Sequence, residues 1–560
     1  MRSPTKCSLT RKYKGVLWGE HGKGVRSEYA PEFFGPIYSR LQEIKAAFDP
    51  NNQLNPGKIA APPGQSLLKI DAVPTRGQSD RRIPLALRLV NDDSLHCNGN
   101  AACFNYDPDD AMCPSWKATR ERRHSPKGRA SLMREWLRRL ADASVDPTHE
   151  ARKARARGAW LAWPSRAMNS WRRRNGDEDF SLAVKEAMDG CLACKSCVGQ
   201  CPIKVDVPAF RSRFLELYYG RYLRPSKDRL VASLEHVLPW LGRMRTLSNA
   251  FTSSRMGRAI LANVGLVELP TLDTIDLHAE LAARGVHEAS VQALAGLSDA
   301  ERAKSVIVVQ DAFTSYYDAA VVLDFVELIG RLGFVPWIAP FRPNGKPQHV
   351  LGFLGAFERT ARKNAAVLDQ LASTGVPLVG VDPSMTLAYR AEYTKALGEQ
   401  HVPAVKLPQE WLASRIDTLP QIPVDDANEW ALLPHCTERT NAPGSVTDWQ
   451  RVALRLGVQL QVLPSGCCGM AGLYGHERAN RTRSEAIYRL SWAHHLADPR
   501  HAGRLTATGY SCRSQVGIVD DMQLLHPLQL LLRRVRSIQS PPAVRRRPHE
   551  KQADAHHEDV

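Results

Sequence analysis

The sequence predicts an α/β plus α protein: a helical, cysteine-rich block followed by two tandem α/β units. Three observations carry this. SLMREWLRRL and FRSRFLELYYGRYL space their apolar residues three and four apart, as amphipathic helices do. From about residue 303, short apolar runs (VIVV, VPWIAP, VPLVGVDP) alternate with helical stretches. From 430 the same order returns as WALLPHC, VTDWQRVALRLG, VQLQVLPSGCCG and LTATGYSC.

The elements follow in order. Residues 1–60 hold GEHGKG, the helical EFFGPIYSRLQEIKAAF and the turn-rich DPNNQLNPGK. Residues 61–91 read as a Pro/Gly linker. Residues 92–265 form the helical block, with two cysteine runs. Residues 303–425 are the first α/β unit, without cysteines, and 426–535 the second, with four. RLG at 331–333 matches RLG at 455–457, and Pro340 matches Pro464. Asp311 is expected opposite Cys436, and Ser384 close to Cys512. Residues 536–560 form a basic tail, expected to be disordered.

Composition narrows the function classes. The 560 residues leave room for about three or four domains. No apolar run approaches the roughly 20 residues of a membrane span, and the N-terminus shows no apolar signal core. The twelve cysteines are clustered, with Cys7 standing apart, which favours reduced thiolates binding metal over a disulfide scaffold. The location expected is the cytosol, or the periphery of the membrane's inner face. The net charge of +17 concentrates in ARKARARG, SWRRRN and the tail. It reads as a solvated basic face, and without a binding motif it does not indicate nucleic acid.

The chemistry lies in the cysteines. CLACKSCVGQCP places Cys191, Cys194, Cys197 and Cys201 at C-x2-C-x2-C-x3-C-P. In two-cluster ferredoxins the last cysteine of such a run ligates the other cluster. The partner run HCNGNAACFNYDPDDAMCP supplies Cys97, Cys103 and Cys113 and also ends in C-P. Cys113 should therefore complete the cluster of Cys191, Cys194 and Cys197, and Cys201 should join Cys97 and Cys103. That second cluster lacks a fourth cysteine. His96, a solvent oxygen or a three-iron form would each account for the gap. The spacing is dense for tetrahedral zinc. Cys436, Cys467, Cys468 and Cys512 each follow a predicted strand, where loops converge on one crevice. A third iron–sulfur site is expected there, with zinc or a thiol–disulfide site as alternatives.

The two runs ending in C-P, the SPKGR after the first, and the C…CCG…C unit resemble the iron–sulfur component of glycolate oxidase and the CCG-domain component of heterodisulfide reductase. They imply a ferredoxin-like two-cluster domain and CCG-type α/β repeats. The CCG pattern usually ends in C-x2-C, but here Gln515 takes the last place. GEHGKG and FDPNNQLNPGK resemble the last segments of FAD-linked 2-hydroxy-acid dehydrogenases. The combination resembles bacterial FAD/iron–sulfur D-2-hydroxy-acid dehydrogenases, of the D-2-hydroxyglutarate and D-lactate type, in their C-terminal half. The first block would then be the remnant of an FAD-linked oxidase C-terminal domain.

The resemblance implies 4Fe-4S clusters, two in the helical block and a third in the CCG unit, with FAD in the complete enzyme. It implies that Glu20 and His21 help hold a metal and the substrate, and that Asn55 and Gly57 lie near the flavin. Electrons from a D-2-hydroxy acid (D-2-hydroxyglutarate, D-lactate or glycolate) would pass to a quinone or an electron-transfer protein. The family's FAD-binding body should precede residue 11, so the chain is expected to be a truncated product, a fragment or half of a split enzyme, with an FAD-domain polypeptide as partner in the last case. An oligomer is expected. The other readings are a stand-alone iron–sulfur electron carrier and a heterodisulfide-reductase-like thiol enzyme.

Overall fold

The structure is a computed structural model that describes residues 8–10, 12–15, 23–72, 77–155, 162–174, 180–424 and 429–539. It divides at Ile83/Pro84 into two compact units. The first therefore extends through residues whose composition reads as linker.

In the first unit the expected helical stretch is interrupted. Ala30–Phe34 is helical, Gly35–Ile37 forms a 3-10 turn, and α1 spans Tyr38–Phe48. Gly35 adopts φ +54° and Pro36 has no N–H, so the helix cannot run through them. The next turn is built on Asp49. Its carboxylate accepts from the backbone N–H of Gln53 and Leu54, both at 2.8 Å, and from Lys45 Nζ at 2.5 Å. The Lys45 hydrogen bond and those N–H groups hold the Asp49 carboxyl down at about 2.

The second unit begins helically. α2 (Pro114–Thr119), α3 (Pro126–Asp142), α4 (Ser181–Asp189), the short α5 (Ser196–Gln200), α6 (Val207–Arg221) and α7 (Ser226–Arg243) belong to the cysteine-rich block. The SPKGR stretch is a helix start. Ser125 caps α3 by accepting from Gly128 N at 2.9 Å, and Pro126 needs no donor at the first position. A Cβ on Gly128 would lie 1.9 Å from Arg122 O, so only glycine fits there.

Two parallel sheets follow. β1 (Ser305–Val309), β2 (Val335–Ile338), β3 (Leu378–Gly380) and β4 (Val405–Lys406) lie in the order β2-β1-β3-β4. β5 (Glu429–Leu433), β6 (Gln459–Val462) and β7 (Leu505–Ala507) lie in the order β6-β5-β7. The second sheet repeats the first three strands of the first, and every strand expected from the apolar runs is present. α8 (Ala312–Tyr316) and α9 (Ala319–Arg331) follow β1; α11 (Pro383–Ala388) follows β3, after α10 (Leu354–Ala372). α12 (Pro408–Ala413) ends the first repeat. In the second, α13 (Cys436–Asn441) and α14 (Pro443–Arg455) follow β5, α15 (Arg481–Ala497) follows the CCG loop, and α16 (Tyr510–Asp520) follows β7. The two RLG sequences end α9 and α14, with Gly333 at φ +86° and Gly457 at φ +74°.

The register differs slightly from expectation. Asp311 and His435 occupy the same place, capping α8 and α13, so Asp311 matches His435 and not Cys436. Asp382 and Gly509 cap α11 and α16, which sets Ser384 against Ser511, one residue before Cys512. The repeats differ in loop length, so a single offset cannot align every strand.

Successive strand residues face opposite sides and both sides are covered. Val306 and Val308 join Phe325, Leu328, Trp449, Val452 and Leu531 in one core shared by the two repeats. Ile307 and Val309 face a second layer with Phe357 and Leu368, and Leu433 faces a third with Tyr488 and Trp492. Each such side chain stabilises the fold by about 1.5–3 kcal/mol. The last helix, α17 (Pro527–Gln539), runs into the segment expected as tail and packs on α9. Residues beyond 539 lie outside the described part.

Candidate functional site

The fold brings the cysteines into three groups. Cys113 caps α2 at φ +45° and lines one small cavity with Cys191, Cys194 and Cys197. Cys201 packs against the small cluster that holds Cys103, and Cys97 is close enough to act on the Cys103 thiol electrostatically. In the second repeat, thiol–thiol contacts run from Cys436 to Cys467, on to Cys468 and then to Cys512. Cys436 follows β5, Cys467 and Cys468 follow β6, and Cys512 follows β7. β5 lies between the other two strands, so their carboxyl-end loops converge.

Without a cation these cysteines stay protonated. Burial pushes Cys113 and Cys194 up to about 12 and Cys197 well above the usual thiol range. The Cys467 contact, then burial, raises Cys436 well above it too. Buried thiols this close need a positive centre to become thiolates, which is what a metal cluster supplies. Donor spacing bears on which metal. Four sulfurs around one zinc at about 2.3 Å lie about 3.8 Å apart. Among the described residues no three cysteine sulfurs lie within 4.8 Å of one another.

The first and third groups are neighbours. α5 packs on α13, and Thr437 Oγ1 donates to Cys194 O at 3.0 Å. The approach depends on Gly199, whose Cβ would lie 2.0 Å from Thr440 O. A cavity of about 410 Å³ opens between them, lined by Cys191, Cys194, Cys436, Cys467 and Cys468, with Phe313, Tyr317 and Tyr510 among its apolar walls.

Charged groups surround these thiols, and sequence reasoning did not single them out. Arg129 of SPKGR is 1% exposed. Its Nη1 lies 3.8 Å from Cys113 Sγ, its Nη2 3.0 Å from Ser115 Oγ, and its Nε 2.8 Å from Ala187 O. Lys195, between Cys194 and Cys197, is buried and pairs with Glu392 at 3.0 Å. Glu392 comes from a π-helical turn, Tyr389–Tyr393, far along the chain. Burial raises its carboxyl, but Lys195, Lys346 and His349 outweigh burial and hold it at about 2. Asp382 bridges the repeats by accepting from Tyr510 N at 3.0 Å. Glu438 accepts from Gln409, Trp449 and Thr508, and burial pushes its carboxyl up to about 7. Among these, only the SPKGR motif was visible in the sequence.

The remaining expectations are placed as follows. His96 turns Nδ1 to Asp92 O at 2.6 Å and Nε2 to Ile203 O at 2.9 Å, so both ring nitrogens face carbonyls and not the Cys97 group. Gln515 is buried and donates to Ser484 Oγ at 3.2 Å. Gly57 has φ +72°, and a Cβ there would lie 3.1 Å from Leu68 N; Asn55 is exposed at φ +50°. Glu20 and His21 lie outside the described residues.

Comparison with known proteins places the chain among relatives. Residues 5–59 match the family model described as FAD linked oxidases, C-terminal domain. The chain is 51% identical over 529 residues to D-2-hydroxyglutarate dehydrogenase of Pseudomonas putida, covering 94% of this chain and 52% of that protein. It is 48% identical to the Escherichia coli protein of the same name, with the same coverage. A 232-residue stretch is 24% identical to one component of the anaerobic glycerol-3-phosphate dehydrogenase of Escherichia coli, covering 39% of this chain and 56% of that one. No solved structure matches. The chain spans about half the length of the curated relatives it matches. Along 94% of its length, then, it is homologous to about half of the bacterial D-2-hydroxyglutarate dehydrogenases.

Proposed function

We propose that this chain carries electrons in a flavin-dependent oxidation of a D-2-hydroxy acid, of the D-2-hydroxyglutarate type. The observation that carries the reading is the convergence of Cys113 with Cys191, Cys194 and Cys197, next to the Cys436 group across one cavity. When bound, iron–sulfur clusters supply one-electron transfer and FAD supplies hydride acceptance.

The chain's own residues do the rest. Glu20 and His21 hold the substrate acid with a metal, and His21 takes the hydroxyl proton. Asn55 and Gly57 shape the turn proposed to lie near the flavin. Two cysteine sets hold the ferredoxin-like pair: Cys113, Cys191, Cys194 and Cys197, then Cys97, Cys103 and Cys201. Cys436, Cys467, Cys468 and Cys512 hold the third site. Arg129 places positive charge beside Cys113, which favours the reduced form of the first set. The largely apolar cavity, with Phe313, Tyr317 and Tyr510 in its walls, suits a ring-bearing acceptor such as a quinone, with an electron-transfer protein as the other acceptor.

Anaerobic reconstitution with iron and sulfide, followed by EPR of the dithionite-reduced protein, tests this. Cys113→Ser and Cys191→Ser should abolish the same signal, and Cys97→Ser a different one. Colourless protein carrying zinc, or Cys113→Ser acting with Cys97→Ser, refutes the assignment.

A further inference from the structure

Outside the cysteine groups, one trio of side chains has metal-ligand spacing. Asp109 lies in the loop between Cys103 and Cys113, and His494 and His495 lie in the last turn of α15. One ligand atom from each falls within 4.8 Å of the other two, and among the described residues no other His, Cys, Asp or Glu trio does so. His494 Nε2 is 4.0 Å and His495 Nε2 3.9 Å from the same oxygen, Asp109 Oδ1.

Consecutive helical residues normally point about 100° apart. Here both rings turn onto one carboxylate, with centroids 3.9 Å apart. A hydrogen bond to Asp109 does not explain the turn of His494 towards it, because 4.0 Å is too long for one. The hydrogen bond to Asp109 Oδ1 comes instead from Ser491 Oγ, at 2.9 Å. Arg439 donates to the backbone carbonyl of Asp109, not to its carboxylate. His495 Nε2 is 2.8 Å from Pro464 O, the hydrogen bond that orients this ring, and a metal ion would take the place of its proton. His494 is half exposed, so an ion can enter from solvent.

We propose that Asp109, His494 and His495 form a site for a borderline divalent metal ion, zinc before others. Two imidazoles and a carboxylate are the donors such ions take, at about 2.0–2.2 Å. Small side-chain rotations would close the observed separations to that geometry.

The site has a structural consequence. Ser491 and Trp492 of α15 bind Gly466 N and Gly466 O in the P-S-G-C-C-G loop. A metal there ties the Cys103–Cys113 loop to the helix that supports Cys467 and Cys468.

Cluster-reconstituted chain is equilibrated with Zn²⁺, desalted and examined by metal analysis and zinc K-edge EXAFS. The expected result is a zinc with nitrogen and oxygen neighbours at about 2.0 Å and no sulfur at about 2.3 Å. Asp109→Asn and His494→Ala should each weaken it about 100-fold or more, with iron content and far-UV CD unchanged. Zinc bound equally by parent and His494→Ala, zinc with sulfur neighbours only, or no retained zinc overturns the proposal. Because the EXAFS separates nitrogen from sulfur, the result stands whether or not the cysteines hold iron.

Discussion

Gly199→Ala should destabilise the protein although alanine is the better helix former. Gly199 lies in α5, where the substitution alone would gain about 1 kcal/mol of helix propensity. The new Cβ would sit 2.0 Å from Thr440 O and 2.6 Å from Thr440 C, against 3.4 Å for ordinary contact. α5 and α13 would have to part by roughly 1.4 Å. The obstacle is backbone of a helix that starts at Cys436, so no side-chain rotation relieves it. Overpacking costs typically about 1–3 kcal/mol, and a backbone obstacle belongs at the upper end. A net loss of about 2 kcal/mol is expected, together with separation of Cys194 from Cys436. Denaturant unfolding measures the first, and iron content after reconstitution reads the second. A Gly199→Ala protein as stable as the parent, with the same iron content, would refute the close packing of α5 on α13.

Arg129→Met should lose about 2–3 kcal/mol, because Ser115 Oγ and Ala187 O lose a buried charged donor; it should also lower the midpoint potential of the Cys113 site in a redox titration. His96→Ala should leave iron content unchanged, since both ring nitrogens are held by carbonyls; a selective loss of the Cys97 signal would show that His96 is a ligand. Glu327 on α9 is held at about 2, chiefly by Arg536 of α17, with Arg331 beside it. Its folded carboxyl binds protons less readily than the unfolded one, so stability rises with pH. The contribution is complete above about pH 4.5 and is lost as pH falls towards 2. Glu327→Gln should flatten the dependence of Tm on pH across that window, and an unchanged slope would count against the ion pair.

Much of this protein was legible because its signals are local. Strand runs, amphipathic spacing and the repeated RLG depend on residues close in sequence. The C-P pairs suggested which distant cysteines meet, and in the fold Cys113, Cys191, Cys194 and Cys197 line one small cavity. The strand-end cysteines converge because a parallel sheet puts equivalent loops at one edge. The tertiary structure decided what depends on long-range packing. Lys195 meets Glu392 from a π-helical turn, Arg129 reaches Cys113 through the core of the helical block, and Asp109 meets two histidines some 380 residues later. Asp311 and Cys436 slipped by one residue because each helix start is set by its own cap, not by a constant offset. Periodicity and spacing fix which side of an element faces inward. Which element it meets there is decided by the folded chain, where a single glycine hydrogen at Gly199 leaves room for two cysteine groups to stand side by side.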